Sequence, residues 1–135
     1  GVEIPDAPRL EGHSDGDALL HAVADAVLGA AAVGDIGVHF PDDDPRWKDA
    51  DSALILSGAL RLAREQRRLR PVNADVNVVA ERPRLAEYRD AIRARLAGLL
   101  ELPLEAVGVK ARTAEGLGPV GRGEAIEVHA AVLME

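Results

Sequence analysis

Three polar residues recur at a helical spacing near the start of the chain. Asp17, His21 and Asp25 are each four residues apart, so on a helix their side chains project from one stripe. An imidazole between two carboxylates can hold a divalent cation. Taken alone, the exposed polar face of an amphipathic helix explains the spacing more simply. Because Ala, Leu and Val surround the stripe on nearly every side, that simpler explanation is weakened.

Two further polar residues, His13 and Ser14, lie just before this predicted helix. Free backbone N–H groups and the helix dipole favour an anion at a helix N-terminus. Ser14 is also followed three residues later by Asp17, which resembles a capping box with Asp in place of Glu. Anion binding and simple capping are therefore both open for this pair.

An acidic loop follows the first helix. Asp35, Asp42, Asp43 and Asp44 lie in a stretch rich in Gly and Pro. Such residues commonly form turns in water, but they can also accept hydrogen bonds from substrate hydroxyls. The spacing lacks the Gly position and the ligand pattern of an EF-hand, and it does not decide between the two alternatives.

The most distinctive motif is the run 110–124, which is rich in glycine between positions 116 and 123. Glycines allow backbone to approach a ligand closely, and the run also offers the Thr113 hydroxyl and the Glu115 carboxylate, a ligand type suited to magnesium. A glycine-rich turn between strands is the alternative. The order Gly-Lys-Ser/Thr of a P-loop is absent.

Charge and composition limit the kinds of ligand and location. Sixteen basic and 23 acidic residues give a formal charge of −7, which repels nucleic acid and anionic lipid surfaces. A phosphorylated ligand would then need divalent cations or local donors at its site. No cysteine is present, so a metal site must use His, Asp and Glu. We expect a cytoplasmic bacterial protein that spans no membrane and binds no nucleic acid.

Periodicity places these residues on helices, strands and one long loop. Helices are predicted up to about residue 32, over 50–68 and over 85–100, and strands over 72–80, 107–111 and 125–133. The stretch 34–47 is predicted to lack regular structure because Gly and Pro interrupt it. In the second helix the residues predicted to face inward are Leu54, Ile55, Ala59 and Leu62.

The element pattern predicts one α/β domain over residues 1–135, an α+β sandwich with a mixed sheet and helices packed on one face. The other sheet face should be partly polar, since it carries Asp75, Asn77, Glu127 and His129. Water can cover such a face in an antiparallel sheet. Oligomerisation is the alternative.

Taken together, the motifs resemble the family of 2-C-methyl-D-erythritol 2,4-cyclodiphosphate synthases of non-mevalonate isoprenoid biosynthesis. The matching segments run in order through 13–17, 21–26, 34–37, 40–42, 80–86, 113–115 and 121–124. The resemblance implies a phosphorus–oxygen lyase that converts 4-diphosphocytidyl-2-C-methyl-D-erythritol 2-phosphate to the cyclic diphosphate and releases CMP. It also implies a homotrimer with active sites between neighbouring subunits.

The resemblance also assigns roles by position. It makes His21 a zinc ligand, Glu115 a magnesium ligand, and His13 and Thr113 the groups that stabilise the transition state. Independently of the resemblance, we suggest that Asp25 is a hydrogen-bond partner that orients His21. The implied substrate-binding residues are His13, Ser14, Asp35, Ile36, Gly37, Phe40, Pro41, Asp42, Asp43, Asp44, Ala80, Glu81, Arg82, Pro83, Arg84, Leu85, Ala86, Arg112, Thr113, Ala114, Glu115, Pro119 and Arg122.

The sequence departs from the family pattern at two places. Arg112, Ala114 and Pro119 replace residues that are often Thr, Thr and Phe. The family's opening strand carries an Asp-x-His pair with two zinc ligands, and we expect this pair upstream of Gly1. Two other functions remain open at this point. One is a metal-dependent phosphohydrolase, and the other is a truncated, non-catalytic trimeric binding module.

Overall fold

A three-stranded sheet forms the frame of the computed structural model, which describes residues 1–5, 7 and 15–135. The strands are β1 (Pro71–Val79), β2 (Val107–Arg112) and β3 (Glu127–Met134), in the order β2-β1-β3. β1 pairs in parallel with β2, with Ala74 opposite Val107. It pairs antiparallel with β3, with Val76 opposite Ala130. The predicted mixed sheet is confirmed.

Five α-helices accompany the sheet in the described part of the chain. They are α1 (Ala18–Ala30), α2 (Ile36–His39), α3 (Ser52–Arg67), α4 (Arg89–Leu100) and α5 (Gly118–Gly121). Three short 3₁₀ turns lie at Pro45–Trp47, Leu85–Glu87 and Leu104–Ala106. Together with the sheet, these helices confirm the predicted α/β class.

The core lies between one sheet face and the long helices. Alternate β1 residues Ala74, Val76 and Val78 are buried, as strand periodicity requires when helices cover one face. α1 packs against β3 and α3, while α4 packs against β2. Leu56 of α3 and Val23 of α1 are fully buried. Ala and Val dominate this interior because few aromatic residues are available to fill it.

The opposite sheet face is polar, as predicted. Asp75, Glu127 and His129 are exposed on it, and Asn77 is half-buried. His129 Nε2 lies 2.6 Å from Glu127 Oε1, and Lys110 pairs with Asp75. No helix described within the chain covers these side chains.

Three details of the secondary-structure prediction were wrong. Leu54 was expected to face inward, but 59% of it is exposed because it lies off the stripe that buries Ile55 and Ala59. The helix predicted from residue 85 is a 3₁₀ turn followed by α4, which begins at Arg89. The stretch 34–47 was expected to be irregular but contains α2 and the turn Pro45–Trp47, since Asp35 and Asp44 cap them.

Among the residues that the structure describes, no helix combines the length and the apolar character needed to cross a membrane.

Candidate active site

Two of the predicted substrate-binding segments leave the sheet at the same edge. The parallel strands β1 and β2 end at Val79 and Arg112, which are partners in the register. Just beyond, the amide of Ala80 donates a hydrogen bond to the Arg112 carbonyl over 2.9 Å. Ligands of open α/β sheets commonly bind outside the carboxyl ends of parallel strands. Segments 80–86 and 112–115 therefore start side by side at an edge suited to a ligand.

The segment 80–86 combines a buried anchor with an unpaired acceptor. Ala80 is 6% exposed, and the peptide bond between Arg82 and Pro83 is cis. Glu81 Oε2 is buried and has no hydrogen-bond partner among the described residues. Pro83 and Leu85 line a cavity of about 650 Å³. Arg84 and Ala86 are exposed.

That cavity also reaches the start of α1. Its lining includes Asp15 and Asp17 on one side and Val78 and Val128 of the sheet on another. The cavity thus joins the N-terminal end of α1 to Pro83 and Leu85 within one chain, but its lining does not include His21.

Thr113 and Glu115 form a compact pair after β2. Thr113 Oγ1 donates to Glu115 Oε1 over 3.2 Å and accepts from the Glu115 amide over 3.4 Å. Both side chains are exposed, and Glu115 has a positive φ of 53° in the turn. This turn holds a hydroxyl and a carboxylate together at the surface, where a cation and a phosphate could both reach them.

Glycine keeps this turn tight. A Cβ at Gly121 would lie 2.2 Å from the carbonyl carbon of Gly116, so the two backbone segments approach more closely than any other residue allows. Beyond it, Arg122 makes a bidentate contact with Glu124, with both N–O distances 2.9 Å. Ala114 is half-buried, whereas Pro119 and Arg112 are exposed.

Two carboxylates of the acidic loop accept hydrogen bonds from backbone amides of the same loop. Asp35 Oδ1 accepts from the Val38 amide over 2.9 Å and caps α2. Asp44 Oδ1 accepts from the Arg46 amide over 2.9 Å, and the side chain also pairs with the Arg46 guanidinium. The hydrogen bond between the Asp44 carboxylate and the Arg46 guanidinium raises the pKa of Arg46. Asp42 and Asp43 are exposed to solvent.

An aromatic anchor fixes the middle of this loop. Phe40 is buried and meets Trp47 edge-on, with ring centroids 5.0 Å apart. Its ring lies directly over Gly58 of α3, where a Cβ would come within 2.7 Å of the Phe40 ring. Ile36 and Pro41 are half-buried, and Gly37 is exposed. The loop is therefore attached to the core at Phe40, while its acidic residues remain accessible.

His21 lies on the half-buried side of α1, next to a residue that the sequence did not single out. Its Nε2 is 3.0 Å from the hydroxyl of Ser52 at the start of α3. Ser52 is completely buried, and its hydroxyl also donates to Asp15. No spacing pattern links these residues, because Ser52 lies 31 positions after His21. Ser52 follows Asp51 at the start of a predicted helix, and from the sequence such a serine indicates only helix capping.

The two carboxylates of the predicted stripe make backbone contacts. Asp17 caps α1 by accepting from the Leu20 amide over 3.0 Å. Asp25 Oδ1 accepts from the Ile36 amide over 2.8 Å, which joins α1 to α2. His13 and Ser14 lie outside the described residues. The predicted capping box is wrong, because the N-cap of α1 is Asp17, the residue that the prediction placed three positions inside the helix.

His21 and Glu115 each have a side chain that suits one contact to a metal ion. The imidazole of His21 is oriented by a buried hydroxyl, as metal-ligating histidines generally are by a second group. Glu115 offers an exposed carboxylate, a ligand type that suits magnesium. Within residues 1–5, 7 and 15–135, no three His, Asp or Glu side chains come together as a metal-binding group. For each predicted ion, the described residues thus include one candidate ligand, His21 for zinc and Glu115 for magnesium.

Comparison with known proteins decides the family. The sequence model of the YgbB family matches residues 1–135. A 2-C-methyl-D-erythritol 2,4-cyclodiphosphate synthase from Gloeobacter violaceus is 58% identical over 135 residues, which is 100% of this chain and 82% of the relative. The chain belongs to the YgbB family.

Solved structures of YgbB-type synthases share the fold. The bifunctional IspDF from Campylobacter jejuni superposes with a TM-score of 0.93 at 40% identity, over 99% of this chain and 36% of that one. A CDP complex of IspF from Plasmodium falciparum gives a TM-score of 0.78 at 34% identity, over 92% of this chain and 74% of that one. The predicted resemblance and the predicted enzyme class, a cyclodiphosphate synthase and hence a lyase, are therefore confirmed. Neither the phosphohydrolase nor the binding-module alternative is supported.

Proposed function

We propose that this chain converts 4-diphosphocytidyl-2-C-methyl-D-erythritol 2-phosphate to 2-C-methyl-D-erythritol 2,4-cyclodiphosphate. An oxygen of the 2-phosphate attacks the β-phosphorus and forms the new P–O bond. The bond from the β-phosphorus to the oxygen that bridges it to the α-phosphorus breaks, and CMP leaves with that oxygen. Such a transfer depends on positioning and on stabilising negative charge, with little need for a protein nucleophile.

The observation that carries this proposal is the shared edge at the ends of β1 and β2. Ala80 is hydrogen-bonded to Arg112 there, so the segments 80–86 and 112–115 can line one pocket. We assign the cytidine diphosphate part of the substrate to this pocket. The CDP complex of the Plasmodium falciparum relative supports a cytidine nucleotide as ligand.

We assign the remaining substrate contacts from the positions of the polar side chains. Thr113 is assigned to the charge that develops on the transferred phosphoryl group, since its hydroxyl sits beside Glu115. His13 is assigned the same task, stabilising the charge on the transferred phosphoryl group. The methylerythritol phosphate part is assigned to Ser14, to Asp35, Ile36 and Gly37, and to the 40–44 loop, whose exposed carboxylates can accept hydrogen bonds from its hydroxyls. Arg122 and Pro119 are further substrate contacts.

Divalent cations complete the site in this proposal. Bound cations would neutralise the crowded charge of the diphosphate, which a chain of net charge −7 cannot do with its overall field. Glu115 would hold magnesium, and His21 would be one of the protein ligands of zinc. Catalytic zinc usually takes three protein ligands. We place the other two on an Asp-x-His segment that precedes Gly1 and pairs as a strand with the sheet.

Zinc content and CMP release test this ligand assignment. Zinc content and CMP release are measured for residues 1–135 alone and for the same residues preceded by the Asp-x-His segment. Tight zinc binding and turnover should appear together, only in the longer chain. Equal zinc occupancy and equal turnover in the two would contradict the assignment.

We also propose a homotrimer with active sites between subunits. The support is the polar sheet face that carries Asp75, Asn77, Glu127 and His129, which no described helix covers. The metal helix would come from one subunit and the 80–86 segment from its neighbour. Light scattering at micromolar concentration should give three times the mass of one chain. A purely monomeric and fully active protein would contradict the assembly.

A further inference from the structure

One buried residue attaches the acidic loop to the core. Residues 32–51 are all described, and among them Phe40 is the only buried one, with 8% of its surface exposed. It follows the last residue of α2, and its amide donates to the Ile36 carbonyl over 2.8 Å. The segments assigned to the methylerythritol phosphate part lie on both sides of it, at 35–37 and 41–44. The position of the Phe40 ring therefore influences both segments.

The Phe40 ring packs on α3 at a position that has no side chain. A Cβ at Gly58 would lie 2.7 Å from Cζ and 2.8 Å from Cε1 of Phe40. Ordinary van der Waals contact begins at 3.4 Å, so the ring would have to move by roughly 0.7 Å or more. Trp47 packs edge-on against the same ring, with centroids 5.0 Å apart. A displaced ring would therefore lose this contact or move Trp47 with it.

Helix geometry does not explain a glycine at position 58. Gly58 lies inside α3, where glycine is less favourable than alanine, and its φ is not in the left-handed region. Gly29 of α1 and Gly98 of α4 are helical glycines as well, yet a Cβ at either would meet nothing within 4 Å. The close approach of Phe40 is the contact that sets Gly58 apart from them.

We propose that Gly58 is a positioning residue, which lets Phe40 pack on α3 and so holds the segments 35–37 and 41–44 in place for the substrate. The inference rests on the proposed function, which assigns these segments to the methylerythritol phosphate part. It adds a residue that acts through Phe40 and that no motif singles out. A misplacement of about 1 Å can lower a rate about 10²-fold. The displacement that a Cβ at position 58 would impose is close to that size.

The first experiment measures steady-state CMP release by Gly58→Ala, in the protein that carries the Asp-x-His segment and with zinc and magnesium present. We expect kcat/KM to fall about 10²-fold. Gly98→Ala is the matched control, because it makes the same change in another helix without meeting a neighbouring atom. Its kcat and KM should equal those of the unmodified protein.

The second experiment separates a local displacement from general damage to the protein. CDP is assigned to the segments 80–86 and 112–115, so its Kd by calorimetry should be the same in Gly58→Ala, Gly98→Ala and the unmodified protein. Trp47 is the single tryptophan of the chain and contacts Phe40, so its fluorescence should change in Gly58→Ala alone. A loss of CDP affinity as large as the loss in kcat/KM would refute the positioning role, because the damage would then extend beyond the acidic loop.

The third experiment is a double-mutant cycle, which tests whether Gly58 acts through Phe40. Phe40→Leu removes the ring that a Cβ at position 58 would meet. Added to Phe40→Leu, Gly58→Ala should therefore change kcat/KM little, and equal effects in the two backgrounds would refute the contact. If thermal unfolding shows that Gly58→Ala alone does not fold, the double variant must fold and turn over like Phe40→Leu. A double variant that also fails to fold would refute the proposal.

Failure of the proposed function and failure of this inference give different results. If the unmodified protein releases no CMP from the substrate, the proposed function is wrong and the positioning role falls with it. If the unmodified protein turns over and Gly58→Ala has the same kcat and KM as Gly98→Ala, the proposed function stands and the role of Gly58 is refuted.

Discussion

Replacing Glu115 by Gln should separate catalysis from stability. The change removes a negative charge but keeps the size of the side chain and one carbonyl oxygen. Glu115 is exposed, and its one described side-chain contact is the 3.2 Å hydrogen bond from Thr113. The Gln oxygen can accept the same bond. The structure therefore predicts a change in unfolding free energy well below the about 0.5–1.5 kcal/mol that a typical hydrogen bond contributes.

The effect on the rate should be much larger. In the proposed mechanism Glu115 holds the cation that neutralises charge on the diphosphate. Removing one preorganised group that stabilises transition-state charge costs about 10²- to 10³-fold in kcat, or about 2.7–4 kcal/mol. The predicted ratio of rate effect to stability effect is therefore large, as expected for a residue that handles charge and belongs to no apolar face.

The assay follows CMP release while the magnesium concentration is varied, with thermal unfolding measured on the same samples. We expect Glu115→Gln to turn over slowly and to need more magnesium. Glu65→Gln is the control, because Glu65 is an exposed glutamate of α3 far along the chain from the turn. A Glu115→Gln protein with the normal rate and normal magnesium dependence would refute the role assigned to Glu115.

Three further substitutions, one of them with a matched control, test other parts of the account. Thr113→Ala should slow CMP release about 10²-fold at unchanged melting temperature, since the hydroxyl is exposed; an unchanged rate would argue against its role. Gly121→Ala should raise KM and lower kcat, because its Cβ would meet the Gly116 backbone at 2.2 Å; unaltered kinetics would show that the turn need not be tight. Leu56→Ala should cost about 2–5 kcal/mol in denaturant unfolding, because Leu56 is fully buried. Leu54→Ala, at an exposed position, should change the unfolding free energy by no more than about 0.5 kcal/mol. Equal losses of stability at Leu54 and Leu56 would contradict the observed packing of α3.

The sequence predicted the strands well because their alternation reflects a sheet with one covered face. Ala74, Val76 and Val78 are buried as expected, while Asp75 is exposed between them. Periodicity alone could not place Leu54, since a helix can be rotated by part of a turn and still bury most of its apolar residues. Its exposure is decided by how α3 packs against α1.

The sequence indicates contacts between residues of one motif but not contacts between distant segments of the candidate site. Thr113 and Glu115 are two residues apart, and a hydrogen bond joins them. The contact between His21 and Ser52 bridges 31 positions and depends on the packing of two helices. Likewise, the pairing of Ala80 with Arg112 follows from the parallel register of β1 and β2, which local sequence patterns do not specify.

Product analysis tests the central claim most directly. The protein with its Asp-x-His segment, zinc and magnesium is incubated with 4-diphosphocytidyl-2-C-methyl-D-erythritol 2-phosphate, and the phosphorus species are followed by ³¹P NMR. The account predicts equal amounts of CMP and of 2-C-methyl-D-erythritol 2,4-cyclodiphosphate, with no water-derived oxygen in the product when the reaction runs in H₂¹⁸O. Release of CMP with a linear, ¹⁸O-labelled phosphate product would contradict it, because water rather than the internal 2-phosphate would then be the nucleophile.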